Sequence, residues 1–283
     1  MEMKMKRMTS FVRSALVAGL VLASGPALAA GESHGAPAER QDWTFGGLFG
    51  TYDENQLQRG FQIFREVCSS CHSANLLAFR NLEEDGGPGF TEGQVKALAA
   101  EYTVQDDTIE DGERPGIPAD RWPNPFPDEF IAKAANNGVV PPDFSVLAKA
   151  RSIESPFPIW IVNYFTAYQE GGPDYIYNLL TGYHEEAPEG VDIAPGQYYN
   201  EHFPGNKLSM APPLADGIVD YEGDEVPETT EQYAKDVAAF MMWVADPHLV
   251  HRKETGFKVM LFLVLFAGLL YLAKRKLWTD VAH

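Results

Sequence analysis

Both cysteines of this 283-residue chain fall in one hexapeptide, Val67-Cys68-Ser69-Ser70-Cys71-His72. No other feature restricts the possible fold so narrowly. Two thiols on one helical turn can form thioethers to the two vinyl groups of a porphyrin, and the imidazole that follows then lies beneath the iron. Cys68 and Cys71 are therefore read as the attachment points of one covalent haem c, and His72 as its first axial ligand. Other chemistries account for the motif less completely. A thioredoxin-like dithiol does not require the histidine and belongs near a βαβ pattern, which the sequence lacks. Zinc would need a second Cys or His pair at ligand spacing, and none is present. A disulfide between residues three apart would be strained.

The two ends of the chain relate this motif to a membrane. Lys4, Lys6, Arg7 and Arg13 accompany a short apolar run from Ala15 to Ser24, and Ala27-Leu28-Ala29 offers a small-residue cleavage site. Residues 1–29 read as a secretory signal peptide rather than a spanning helix. They lack an amphipathic, Arg/Ser-rich front, which points to a bacterial periplasm and away from a mitochondrion. At the other end, residues 256–273 (GFKVMLFLVLFAGLLYLA) carry a single charge, Lys258. As a helix they extend roughly 27 Å, enough to cross a hydrocarbon core. Lys274-Arg275-Lys276 follow at once, with Trp278 placed for the interface, so the C-terminus is expected to be cytoplasmic. The expected organisation is a signal peptide (1–29), a periplasmic haem domain (30–255), a single transmembrane anchor (256–276) in the bacterial inner membrane and a cytoplasmic tail (277–283). A buried core helix is the competing reading of the apolar run, but core helices are seldom apolar on every side.

Charge excludes one class of partner. Residues 30–255 hold 14 basic and 38 acidic side chains, a balance of −24. Nothing there neutralises phosphates, so nucleic acid is not an expected partner. A basic protein is, although the same acidity also keeps an exported domain soluble. The densest clusters, Glu83-Glu84-Asp85 and Asp106 to Glu113, lie in a Gly/Pro-rich stretch over residues 81–128. Each is either a solvated loop surface or a docking patch.

Periodicity frames the domain. Leu57, Phe61, Phe64 and Val67 share one face of a helix predicted from Asp53 to Val67, with Asp53 as its cap. Gly60 would permit a close crossing. A matching helix is predicted over Thr230–Ala245, with Ala234, Val237, Ala238, Met241 and Ala245 on one face and Pro247 as its stop. Shorter helices are expected at Gln94–Tyr102, Phe144–Arg151, Ile159–Tyr168 and Asp174–Thr181, the last two aromatic and amphipathic. Three prolines force Arg121–Pro127 to run extended. Trp43–Gly50, rich in aromatics and glycines, fits a tight segment lying on a flat surface or in ordinary core.

A haem that only passes electrons needs a sixth ligand. Past the signal peptide the methionines are Met210, Met241, Met242 and Met260. Met260 falls in the anchor, and Met241 and Met242 in a packed helix. Met210 is on a proline-stiffened loop, Ser209-Met210-Ala211-Pro212-Pro213, where a thioether can be held at a fixed distance from iron. His34, His184, His202, His248 and His251 remain as alternatives without comparable context. Arg151, from the residues alone, reads as a surface side chain.

These stretches together resemble the cytochrome c1 family, the haem subunits of the quinol–cytochrome c oxidoreductase (cytochrome bc1) complex, in its bacterial form. The similar segments are residues 43–73 (WTFGGLFGTYDENQLQRGFQIFREVCSSCHS), 134–151 (AANNGVVPPDFSVLAKAR), 174–183 (DYIYNLLTGY), 198–214 (YYNEHFPGNKLSMAPPL) and 234–253 (AKDVAAFMMWVADPHLVHRK). The resemblance implies a mainly α fold: a class I cytochrome c-like haem domain with large insertions plus one C-terminal transmembrane helix. It implies thioether bonds at Cys68 and Cys71, axial ligation by His72 and Met210, and Arg151 near a haem propionate. It further implies one-electron transfer from a Rieske [2Fe–2S] subunit to a soluble or anchored c-type cytochrome, in a respiratory or photosynthetic chain. Quinol chemistry would belong to cytochrome b in a dimeric complex, so this chain is part of a reductase yet needs no acid, base or nucleophile. The sequence departs from some bacterial relatives in lacking two cysteines that form a loop disulfide. Two rival readings stand beside it: another membrane-anchored monohaem carrier, and a haem enzyme or gas sensor with an open sixth position.

Overall fold

The computed structural model describes residues 38–223 and 225–279. The predicted signal peptide, most of the leader and the end of the tail lie outside the described residues. Helix α1 spans Glu54–Glu66 and starts where the Asp53 carboxylate accepts from the Gln56 amide at 2.8 Å. Helix α7 spans Thr230–Ala245, capped by Thr229. The two cross at Gly60, where a Cβ would lie 2.2 Å from the Asp236 carbonyl oxygen and 2.6 Å from Phe240 Cβ. Glycine is therefore required by backbone approach, as the sequence suggested.

Aromatic rings fill the crossing. Phe61 meets Phe240 and Trp122 edge-on, each at 5.7 Å, and Phe64 lies 5.2 Å from Trp122 and 5.5 Å from Phe240. Each such pair adds about 0.5–1.5 kcal/mol beyond the area it buries. One charge sits inside this core. Asp236, fully buried, accepts from Arg59 Nε at 2.8 Å, Gln56 Nε2 at 3.1 Å, Gln232 Nε2 at 2.9 Å and the Tyr221 hydroxyl at 3.0 Å. A carboxylate without those donors could not be taken out of water.

Helix α2 (Glu92–Ala100) leads into a hairpin of β1 (Thr103–Gln105) and β2 (Glu113–Pro115), with Val104 opposite Arg114. Short helices α3 (Glu129–Ala135), α4 (Leu147–Ala150), α5 (Ile159–Thr166) and α6 (Gly171–Thr181) follow, then a second ribbon of β3 (Tyr198–Tyr199) and β4 (Lys207–Leu208). Among the described residues the strands form only these two ribbons, so the class is mainly α. Two expectations need correction. The helix predicted at Phe144–Arg151 is reduced to α4, because Val146 leaves the helical region at φ −132° and ψ 9° and the chain turns helical only from Leu147. Helix α5 has no buried residue and is not amphipathic in place; Tyr164 and Phe165 are more than three-quarters exposed.

The N-terminal strap runs along α6. Asp174 Oδ1 accepts from the Gln41 amide and from Trp43 Nε1, both at 2.8 Å, and Asn178 exchanges two bonds with the backbone of Glu39. The last helix, α8, spans Leu249–Leu277, about 44 Å. It is long and apolar enough to cross a membrane, and from Glu254 onward its described side chains are exposed. It begins seven residues before the apolar run. At that junction Asp246 accepts from Arg252 at 2.5 and 2.7 Å and from Lys149 at 2.9 Å, and the Tyr52 hydroxyl bonds the Asp246 carbonyl.

Candidate haem-attachment site

The attachment motif is the continuation of α1. A single 3-10 turn, Cys68–Ser70, follows it, and the His72 amide bonds back to the Cys68 carbonyl at 2.9 Å, so Cys68, Cys71 and His72 share one turn. The two intervening serines stabilise the helix end, with Ser69 Oγ donating to Arg65 O and Ser70 Oγ to Val67 O, each at 2.8 Å. Both thiols are free. Burial, aided by Cys71 alongside, pushes the Cys68 thiol up to about 12.

His72 is oriented from its far side. Its Nδ1 lies 2.9 Å from the Pro142 carbonyl oxygen. A carbonyl can only accept, so Nδ1 carries the proton and Nε2 keeps its lone pair for a metal. The ring stacks on Phe144 at 4.3 Å. Burial lowers the imidazole's proton affinity against the upward pull of the Pro142 bond, which favours the neutral, ligating form. The 142–145 segment is itself fixed to the motif. Asp143 Oδ2 accepts from Ser73 Oγ and the Asn75 amide, both at 2.8 Å, and Ser145 Oγ accepts from the Leu76 amide at 2.9 Å. An open cleft of about 400 Å³ borders Cys71, between the proline-rich 124–129 segment and Val140–Asp143. A free Nε2 and two thiols on the same turn suit a covalently held haem; the cleft is lined by Cys71 alone of the expected haem residues, not by Cys68, His72 or Met210.

Met210 lies on a separate loop just after β4, half-buried, with its carbonyl accepting from the Tyr183 hydroxyl at 3.1 Å. The approach to that loop is tied by two asparagines that the sequence reading missed. Asn200, fully buried, accepts from the His202 and Phe203 amides and donates to the Leu179 carbonyl, while Asn206 donates to the carbonyls of Asn200 and Glu201. Their signal was local: Gly205 and Asn206 both take positive φ, at 80° and 59°, which marks a tight turn. Arg151 is exposed at the end of α4, with one guanidinium bond to its neighbour Ala150's carbonyl. Burial raises the Tyr175 phenol and the Arg151 charge pulls it down. His184 and His202, two of the alternative ligands, both face Glu201 Oε1, at 3.2 and 3.5 Å.

A helical domain with a Cys-x-x-Cys-His turn, a histidine freed for metal at Nε2 and a long exposed apolar helix defines a membrane-anchored c-type cytochrome. Comparison with known proteins narrows this. The model of the cytochrome C1 family matches residues 43–281. A protein of Blastochloris viridis named cytochrome c1 is 46% identical over 277 residues, covering 96% of each chain, and one of Rhodospirillum rubrum is 42% identical over 282 residues, covering 98% of this chain and all of that one. A Bradyrhizobium diazoefficiens protein named cytochrome b/c1 is 49% identical over 241 residues, which are 84% of this chain but 35% of that longer one. The chain belongs to the cytochrome c1 family.

Proposed function

We propose that the chain is the electron-transferring haem subunit of a cytochrome bc1 complex, taking one electron at a time from a Rieske [2Fe–2S] subunit and delivering it to a soluble or anchored c-type cytochrome. The observation that carries this reading is the His72–Pro142 bond on the same turn as both thiols, in a chain whose family relatives include one named cytochrome b–c1 complex catalytic subunit, from Candida albicans. When bound, haem c supplies an iron that stores and releases a single electron. Cys68 and Cys71 would hold it through thioethers, His72 Nε2 and the Met210 thioether would ligate its iron, and Arg151 would pair with a propionate. The chain itself moves no proton and offers no nucleophile; quinol oxidation belongs to cytochrome b, a division in keeping with the relative named cytochrome b/c1.

In this reading residues 1–29 are removed on export, 30–255 form the haem domain on the periplasmic face of the bacterial inner membrane, 256–276 anchor it and 277–283 remain in the cytoplasm. The complex is dimeric. Purification of the intact membrane complex through a tag on this chain tests the whole assignment. Cytochrome b and a Rieske subunit are expected to co-purify, with a low-spin, six-coordinate haem that stays on this chain after denaturation and does not bind carbon monoxide when reduced. Five-coordinate or carbon monoxide-reactive iron would instead establish the haem enzyme or sensor, and isolation with oxidase subunits the other carrier.

A further inference from the structure

The strap that crosses α6 ends in a turn whose exposure the haem site does not explain. Residues 43–52 carry no charge in a domain that is otherwise strongly acidic. Within them Trp43 and Phe45 are buried, whereas Leu48 and Phe49 are 61% and 72% exposed at the tip. The tip is built to project. Gly47 takes φ +63°, and a Cβ on Gly50 would lie 2.1 Å from the Gly46 carbonyl oxygen, so the backbone doubles back too tightly for any side chain there. The Thr51 amide closes the turn on Thr44 O at 3.0 Å.

Two contacts fasten this turn to the head of α8. Lys253 Nζ donates to the Phe45 carbonyl at 2.5 Å, and the Phe49 ring meets Phe257 edge-on at 5.5 Å. Lys253 and Phe257 are four residues apart and share one helix face. Phe257 is the first large apolar residue of the exposed run that is long and apolar enough to cross a membrane, so Phe49 sits beside the start of that run. From the other side, Glu170 Oε1 accepts from the Gly47 amide at 3.1 Å, which keeps the turn from folding back onto the domain.

We propose that the Leu48–Phe49 turn is a second membrane contact, inserting into the interfacial region of the phospholipid bilayer beside the anchor and fixing the angle at which the haem domain stands on it. An uncharged aromatic tip continuous with a lipid-exposed helix is the chemistry that the headgroup–acyl boundary accepts. The proposal goes beyond the electron-transfer reading and needs only the anchor. It makes the junction a two-point attachment, so the domain cannot swivel freely about a single helix.

Leu48→Cys and Phe49→Cys, made singly in the intact complex and spin-labelled after reconstitution in phosphatidylcholine vesicles, test it. This chain's own two thiols are those proposed to carry haem, and the unsubstituted complex taken through the same labelling gives the background from other subunits. Relative collision rates with dissolved oxygen and with a water-soluble nickel chelate give depth. Both labels should favour oxygen several-fold over a control label at Asp107 on the β1–β2 hairpin and approach one at Phe262 within the anchor. Free access of the nickel chelate would place the turn in water and overturn the proposal. Exclusion of both reagents would show a protein subunit covering it, which equally overturns lipid contact. An unchanged haem spectrum in the labelled complexes separates either failure from failure of the haem assignment.

Discussion

Gly60 and Asp236 meet backbone to backbone: the space where a Gly60 side chain would start is 2.2 Å from the Asp236 carbonyl oxygen. The crossing of first and seventh helices, and with it the direction in which the attachment turn leaves α1, depends on that absence. Gly60→Ala should lower stability by about 1–3 kcal/mol through overpacking, despite alanine's better helix propensity. Gly93→Ala, in α2 with no neighbouring atom within 4 Å, is the matched control and should be neutral or gain up to about 1 kcal/mol. Unfolding midpoints of the detergent-solubilised holoprotein check both; equal behaviour of the two variants would contradict the close-crossing account.

Met210→Lys should lower the midpoint potential by more than about 59 mV, the tenfold unit of a one-electron equilibrium, because a nitrogen donor favours the oxidised iron more than a thioether does. Redox titration of the complex and its quinol-to-cytochrome turnover are the readouts. A potential and rate equal to those of the unsubstituted protein would remove Met210 from the axial position.

Asp246 joins α7 to the anchor and predicts a pH dependence. Burial works to raise its carboxyl, but the hydrogen bonds from Arg252 and Lys149 outweigh that and hold it below the usual carboxylate value. The folded form therefore releases its proton more readily than the unfolded chain. The resulting stability is fully present above about pH 5 and is lost as pH falls through the unfolded value, near 3.9, toward the lower folded one. Asp246→Asn should cost about 1–2 kcal/mol at pH 7, a modest figure because both cations are half-exposed. The gap between variant and unsubstituted protein should narrow as pH falls below the unfolded value. A gap independent of pH would show that the carboxylate charge is not what the junction uses.

The acidic hairpin divides into two kinds of carboxylate. Asp106 is bound to Arg114, which also pairs with Asp120, whereas Asp107, Glu110, Asp111 and Glu113 face solvent. Reduction of a basic cytochrome by the complex should slow steeply as ionic strength rises from 0.01 to 0.1 M, where the screening length falls from about 30 to about 10 Å. Neutralising Asp107, Glu110 and Asp111 together should flatten that slope in stopped-flow measurements. A slope that survives the triple change would place docking elsewhere.

Much of this architecture was legible in the residues, for identifiable reasons. Helix α1 carried both its period and its cap, Asp53, within its own sequence, and α7 ended where Pro247 required. What could not be read depended on distant partners. Asp236 interrupts the apolar α7, and its principal partner, Arg59, lies 177 positions away, so no local pattern announces the pair. The Phe144–Arg151 stretch begins pinned to residues 73–76 and turns helical only from Leu147, after Val146 leaves the helical region. Helix α5 has aromatic spacing without a surface to bury it, since period records the shape of a face and not the presence of a neighbour. At the haem site the motif supplied the thiols and the histidine, but the Pro142 carbonyl that selects the tautomer, and the Asp143 bonds that hold that carbonyl, are products of tertiary folding.

The turn that delivers Met210 is closed by the amides of Asn200 and Asn206, without sulfur. Its consequence is for maturation rather than for electron flow. The two cysteines of this sequence have a single possible pairing with each other, and they are the same two atoms proposed to carry the porphyrin. An oxidising compartment can therefore trap this polypeptide in one wrong disulfide at most, which one reductant could undo, with no scrambling among alternatives to delay cofactor insertion.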